Sequence, residues 1–274
     1  MDKYLEAKVK AARKMVVHSG TAHMDDYLCC AIARAAGFVG KIERRDPFEC
    51  EIPDDGIIVC DVGKVNHPGV LTWDHHQDKD LPAAFELLAR SLGIWLDLTA
   101  CYPWITAASR QDVVGPVSLV KEAGYDPAVL DLLPPVQPAM LQLWAKHAGD
   151  TIGEEILSIG VGWIKASFEV QNFWKTVRHY DAYGHSVVDV RFCPPETRPI
   201  QRQLMSKWQP ELLVTPSDRG PGFNLCSTPG NHVDFTKYNG PVTYNGGWIL
   251  VLPESASADL TSNGPEGILR QLFQ

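Results

Sequence analysis

The sequence predicts an α/β fold: an N-terminal doubly wound, mostly parallel sheet, with a smaller α+β lobe at the C-terminus. Three observations carry this. Short apolar strands alternate with helix-length amphipathic segments through the early chain, the order that builds a parallel sheet. Three of those apolar segments end in clusters of His and Asp, and open α/β sheets bind ligands at the carboxyl ends of their strands. The last third offers instead short strands separated by turns rich in Gly, Pro and Asn.

The elements follow in order. Residues 2–14 are polar with scattered alanines and read as a short helix or a loose lead-in. Met15–His18 reads as a buried strand and opens the segment His18-Ser19-Gly20-Thr21-Ala22-His23-Met24-Asp25-Asp26. Over Asp26–Gly37, Tyr27, Leu28, Ala31, Ile32 and Ala35 recur at three- and four-residue spacing, which predicts a helix. Asp25 and Asp26 fall in its first turn, where the helix dipole favours a carboxylate. Gly37 suits its C-terminal cap. Lys41–Arg45 and Ile57–Asp61 read as further strands, and Val70–His75 as a short one leading into Trp73-Asp74-His75-His76-Gln77. Ala83–Leu92 is a helix that Pro82 introduces. Ile94–Asp112 is helical at both ends and broken at Tyr102-Pro103. The proline-bearing patch Asp131–Pro138 marks the approach to a boundary. Gly153–Tyr180 keeps helical spacing as one long helix or two. Ser186–Phe192, Glu211–Thr215, Gly222–Cys226 and Trp248–Leu252 read as strands of a mostly antiparallel or mixed sheet.

Composition bounds the function. The 274 residues are 45% hydrophobic, enough for real cores. Lys+Arg of 25 against Asp+Glu of 33 gives −8, which argues against a general duplex-DNA binder. It leaves room for a small nucleotide or short oligonucleotide, because a metal site supplies its own positive charge. Seven cysteines with no CxxC pair, two of them the adjacent Cys29 and Cys30, read as reduced. That implies a cytosol-like compartment. The charged N-terminus shows no secretory signal, and no stretch approaches a membrane span. The expected localisation is cytoplasmic, with no membrane partner.

An acid followed by two histidines is costly to bury, and here it stands beside two other His/Asp clusters. A site for two divalent metals needs a carboxylate shared by both ions, with imidazoles and carboxylates on each side and open positions for water and substrate. Asp61, alone at the end of a buried strand, suits the shared position. His18, His23 and Asp25 serve one or both ions, and His75 and Asp112 complete the second. A hydroxide held between the ions would be the nucleophile. Mixed imidazole and carboxylate ligands favour manganese, cobalt or zinc over calcium. Taken singly, His18 reads as a core histidine, whereas Asp112, an acid in an apolar neighbourhood, reads as functional, with a helix-surface or capping acid as the alternative; jointly these residues read as a site. Asp26 reads as a cap or pairing acid, Asp78 and Asp80 as solvated, and His67 as a turn residue. Trp163, Phe168, Phe173 and Trp174 read as packing.

These residues resemble the DHH phosphoesterase superfamily, which includes RecJ-type single-strand exonucleases, oligonucleotide and cyclic-dinucleotide phosphodiesterases and manganese pyrophosphatases. Most members carry Asp-x-Asp after the first His; here His23 stands where the first Asp would be. That variant, with Asp74-His75-His76-Gln77 behind it, is similar to the melanocyte-proliferating-gene branch, implicated in RNA processing. The resemblance covers roughly residues 15–115. It implies His18, His23, Asp25, Asp61, His75 and Asp112 as ligands to two divalent ions, manganese foremost, with magnesium, cobalt or zinc as alternatives. It also implies His76 facing the phosphate and Asp74 holding a histidine in its working tautomer. On this reading residues 1–135 form a DHH-like metal-binding catalytic domain, 136–180 a helical connector and 181–274 a substrate-binding lobe.

The relatives' glycine-rich loop with histidine is absent from the C-terminal lobe. Ser217-Asp218-Arg219-Gly220-Pro221-Gly222 and Ser227-Thr228-Pro229-Gly230-Asn231-His232 stand instead, with Arg219 and His232 as candidate substrate contacts. The expected activity is hydrolysis of phosphodiester bonds in nucleotides or short single-stranded RNA or DNA, with a homodimer as a candidate assembly. The alternatives are a non-catalytic nucleotide-binding module and a pyrophosphatase-like hydrolase of small phosphates.

Overall fold

The computed structural model describes residues 2–46, 56–132, 136–191, 193, 208–217, 222–228, 233–240, 242, 244–245, 249–256 and 267–273. The chain divides into two compact units, 1–168 and 169–274.

In the first unit, α1 (Lys3–Ala11) leads into β1 (Lys14–His18), α2 (Met24–Ala35), β2 (Lys41–Arg45), β3 (Ile57–Cys60) and β4 (Thr72–Trp73). The four strands form one parallel sheet in the order β2-β1-β3-β4. β3 is buried at every position, as expected of a strand covered on both faces. β4 is shorter than the sequence predicts. Pro68–Val70 forms a 3-10 turn and Leu71 takes φ 59, so the chain joins the sheet only at Thr72. Proline at the start of that turn has no N–H to give a ladder.

Helices α3 (Ala84–Ser91), α4 (Trp95–Cys101), α5 (Trp104–Val114), α6 (Pro116–Glu122), α7 (Val136–His147) and α8 (Thr151–Phe168) complete the unit. The break between α4 and α5 falls at Tyr102-Pro103, as the proline predicts. α2 is buried from Asp25 through Ala33. Its Tyr27 hydroxyl donates to the Ile156 carbonyl of α8 at 2.8 Å and accepts the Gly160 N–H at 2.9 Å. Those two backbone groups would pair with each other in an undisturbed helix, so α2 is stitched into the α8 ladder. Helices α7 and α8, expected as part of a connector, pack within this first unit.

The second unit begins with α9 (Val170–Thr176) and builds a sheet from β5 (Arg178–Ala182), β6 (His185–Asp189), β7 (Leu212–Pro216), β8 (Phe223–Ser227), β9 (Tyr244–Asn245) and β10 (Ile249–Leu252). Its order is β5-β6-β7-β8-β10-β9, antiparallel except for β6 with β7. Arg178–Ala182 is a strand and not the end of a helix. Tyr183 and Gly184 both have positive φ, 57° and 84°, the turn that matches strand twist in a two-residue hairpin. The core joins Val187, Leu212, Val214, Leu225 and Leu250 to Ile268 and Leu272 of α10 (Ile268–Phe273). No described helix is long and apolar enough to cross a membrane.

Candidate metal centre

The parallel register opposes Val17 to Cys60 and Cys60 to Trp73. The residues that follow them, His18, Asp61 and Asp74, therefore emerge from one carboxyl edge of the sheet. Asp61 has φ 57, a left-handed conformation that aspartate tolerates better than most residues. Its N–H donates to the Trp73 carbonyl at 2.9 Å, which ties this bend to β4. Asp25 enters from the first turn of α2 and Asp112 from α5.

These side chains converge on His75. Its Nε2 lies 3.1 Å from Asp112 Oδ2, 3.4 Å from Asp61 Oδ1 and 3.6 Å from Asp25 Oδ2. One donor atom from each of the four residues falls within 4.8 Å of the others. Asp61 belongs also to a second group with His75 and His76, whose Nδ1 is 3.6 Å from Asp61 Oδ1. Yet His75 Nε2, Asp61 Oδ1 and His18 Nδ1 are buried without a hydrogen bond of good geometry among the described residues. Buried polar atoms are rarely left so. A cation between them would satisfy them, and a set of imidazole nitrogens and carboxylate oxygens fits a divalent transition metal.

The electrostatics agree. Burial holds the Asp25 carboxyl well above the ordinary carboxylate range, and Asp61 and Asp112 push it the same way. Asp25 is also anchored structurally, since its two oxygens accept the N–H groups of Ala84 and Phe85 at 2.8 and 2.6 Å at the start of α3. Burial alone would lower His75, but the carboxylates of Asp112 and Asp61 beside it prevail and raise it to about 10. Crowded acids around a protonated imidazole hold protons where a cation could sit. His18 is lowered by burial, which favours the neutral, ligating form.

No protein-family model matches the chain, and no curated protein matches it. Among solved structures it is similar to a pGpG-specific phosphodiesterase, PggH from Vibrio cholerae, at 12% identity over 91% of this chain and 96% of that one, with a TM-score of 0.28. A superposition that loose transfers neither fold nor activity.

The remaining predicted residues divide. His18 and His23 line the same cleft of about 280 Å³ as Asp61, His75, His76 and Asp112, outside the tight donor group. The two rings stack at 6.2 Å, and His23 Nδ1 is 4.0 Å from Asp112 Oδ1. Asp74 is buried. Its Oδ2 accepts the Lys64 N–H at 2.6 Å, and its Oδ1 accepts the His76 N–H at 3.0 Å and lies 2.7 Å from His76 Nδ1. Burial would raise Asp74, but these bonds prevail and hold it below the usual range. The Asp74 carboxylate in turn raises His76. Arg219 and His232 lie outside the described residues.

Two residues near the site escaped the sequence reading. Arg44 is half-buried, with Nη2 3.5 Å from Asp26 Oδ2 and its guanidinium 5.1 Å from the Trp144 ring centre. A buried acid demands a cation, so Asp26 pointed to a partner without naming it. Lys79 lines the cleft. Its neighbours Asp78 and Asp80 drew it into a segment read as solvated.

Proposed function

We propose that the chain is a metal-dependent phosphoesterase that hydrolyses phosphodiester bonds of nucleotides or short RNA and DNA. The observation that carries this is the convergence of Asp25, Asp61, His75 and Asp112, with His75 Nε2 and Asp61 Oδ1 buried without a hydrogen bond of good geometry among the described residues. The order of His18, His23 and Asp25, then Asp61, then Asp74-His75-His76 supports it through the resemblance to DHH phosphoesterases. When bound, a pair of divalent ions, manganese foremost, supplies activated water at neutral pH and neutralises charge building on the phosphate.

The protein's own groups have distinct tasks in this reading. Asp61 and His75 belong to both donor groups; Asp61, at the end of β3, would be the carboxylate shared by the two ions. Asp25, His75 and Asp112 would hold one ion, and His18 and His23, which line the same cleft, would hold the other. Asp74 engages His76 at Nδ1, so Nε2 is the ring nitrogen offered to the phosphate, and the Asp74 carboxylate favours the protonated ring. Lys79 adds positive charge at the cleft wall. Arg219 and His232 are proposed as substrate contacts on sequence pattern alone.

The test is hydrolysis of bis-p-nitrophenyl phosphate, a short labelled RNA, a short labelled DNA and pyrophosphate, each with manganese, magnesium or chelator. Chelator-sensitive turnover of the diester or an oligonucleotide is the expected result. Turnover of pyrophosphate alone, or nucleotide binding with no product on any substrate, would overturn the phosphodiesterase reading.

A further inference from the structure

A second cavity, of about 400 Å³, adjoins the metal centre and shares His23 and Asp112 with it. That volume is in the range of about 300–1,000 Å³ typical of ligand pockets. One face of α5 and one face of α7 form its walls, residues four apart stacking on the same side of each helix: Ala108 and Asp112 on α5, Gln137 and Leu141 on α7. Its apolar surface comes from Ala22, Met24 and Leu141. Three side-chain amides, Gln111, Gln137 and Gln142, face it, and none has a hydrogen-bond partner among the described residues. Beyond the shared His23 and Asp112, no charged residue lines it among the described residues.

The chemistry selects the occupant. With no Lys or Arg among its described lining residues, the cavity offers nothing to neutralise a second phosphate. A purely apolar ligand would strip water from three amides and return no hydrogen bond. Each amide offers both a donor and an acceptor, and glutamine meets base edges in that way. A ligand that continues from the donor group into this cavity is bonded to the phosphate held there. The neutral, planar, donor-and-acceptor group that a phosphodiester carries at that distance is a nucleobase.

We infer that the cavity between α5 and α7 is a nucleobase subsite, which places the base of the nucleotide on the His23–Asp112 side of the scissile phosphate. This rests on the phosphoesterase reading for its relation to the reaction, but its occupancy can be read without turnover. The experiment measures binding of adenosine, guanosine, cytidine and uridine 5′-monophosphates and of ribose 5-phosphate to the manganese-loaded full chain. It is repeated on the double variant Gln137→Ala/Gln142→Ala, both exposed positions on α7.

At least one nucleoside monophosphate should bind tenfold or more tightly than ribose 5-phosphate, and the double variant should close that gap to under threefold. Equal affinity for nucleotides and ribose 5-phosphate, or a gap the double variant leaves intact, would overturn the subsite. Hydrolysis of bis-p-nitrophenyl phosphate, which has no base, is scored separately on the wild-type chain. Loss of that activity with the binding gap present sinks the phosphoesterase reading and leaves the subsite standing; the converse result sinks the subsite alone.

Discussion

His76 Nδ1 lies 2.7 Å from Asp74 Oδ1, and the same oxygen accepts the His76 backbone N–H at 3.0 Å. One buried carboxylate thus fixes both the ring and the chain that carries it. Asp74→Asn removes the charge and leaves the size. Losing such a supporting contact typically costs about 10- to 100-fold in activity or metal affinity. The expected outcome is a fall of that size in kcat with bound metal close to wild type, read by steady-state kinetics beside metal analysis. An unchanged kcat would mean that His76 needs no orientation.

Metal affinity should rise with pH. In the metal-free protein Asp25 is held well above the usual carboxylate range by burial and by Asp61 and Asp112, and His75 is raised to about 10. His75 therefore carries a proton through neutral pH, Asp25 keeps its proton to higher pH than an ordinary carboxylate, and ligation requires those protons to leave. Lowering the pH strengthens the competing protons; raising it removes them. Titration calorimetry with manganese in buffers of different ionisation enthalpy should show proton release, and Kd should fall as pH rises toward about 10, where His75 loses its proton. A pH-independent Kd without proton release would contradict this arrangement.

The seam between α2 and α8 should be sensitive to single atoms. A Cβ at Gly160 would meet Tyr27 Cε1 at 2.8 Å and Ala31 Cβ at 2.9 Å, both on α2. Gly160→Ala removes flexibility from the unfolded chain, but overpacking of this kind costs about 1–3 kcal/mol and should win. Tyr27→Phe deletes the hydroxyl bridge between Ile156 and Gly160 and should cost about 1–2 kcal/mol. Denaturant melts of the two variants check both. Because α2 carries Asp25, weaker manganese binding should accompany the loss of stability in Gly160→Ala.

Much of the first unit was legible because its signals are local. The apolar runs before His18 and Asp61, and the helical spacing from Tyr27 to Ala35, are properties of neighbouring residues. A parallel sheet then brings strand ends to one edge without further information. The convergence of Asp112 on His75 was readable only as an acid in an apolar neighbourhood. The Arg44–Asp26 pair and the Tyr27 bridge to α8 were not legible, since the partners lie 18 and about 130 residues away and no spacing rule joins them. β5 was read as helix because helical spacing continued to Val177, while the turn that makes a hairpin, Tyr183-Gly184, comes only after the strand. α6 was not read, although proline opens a helix as well as it ends one, as Pro116 does.

The most direct test concerns Asp61, which stands in both donor groups and whose left-handed backbone an asparagine accepts. Wild-type protein and Asp61→Asn are compared for manganese-dependent hydrolysis of bis-p-nitrophenyl phosphate, with circular dichroism to verify the fold. The account predicts chelator-sensitive turnover by the wild type and a loss of at least about 100-fold in the variant at unchanged secondary structure, at or beyond what losing a mere supporting contact costs. Undiminished turnover by Asp61→Asn, or wild-type turnover indifferent to chelator, would contradict it.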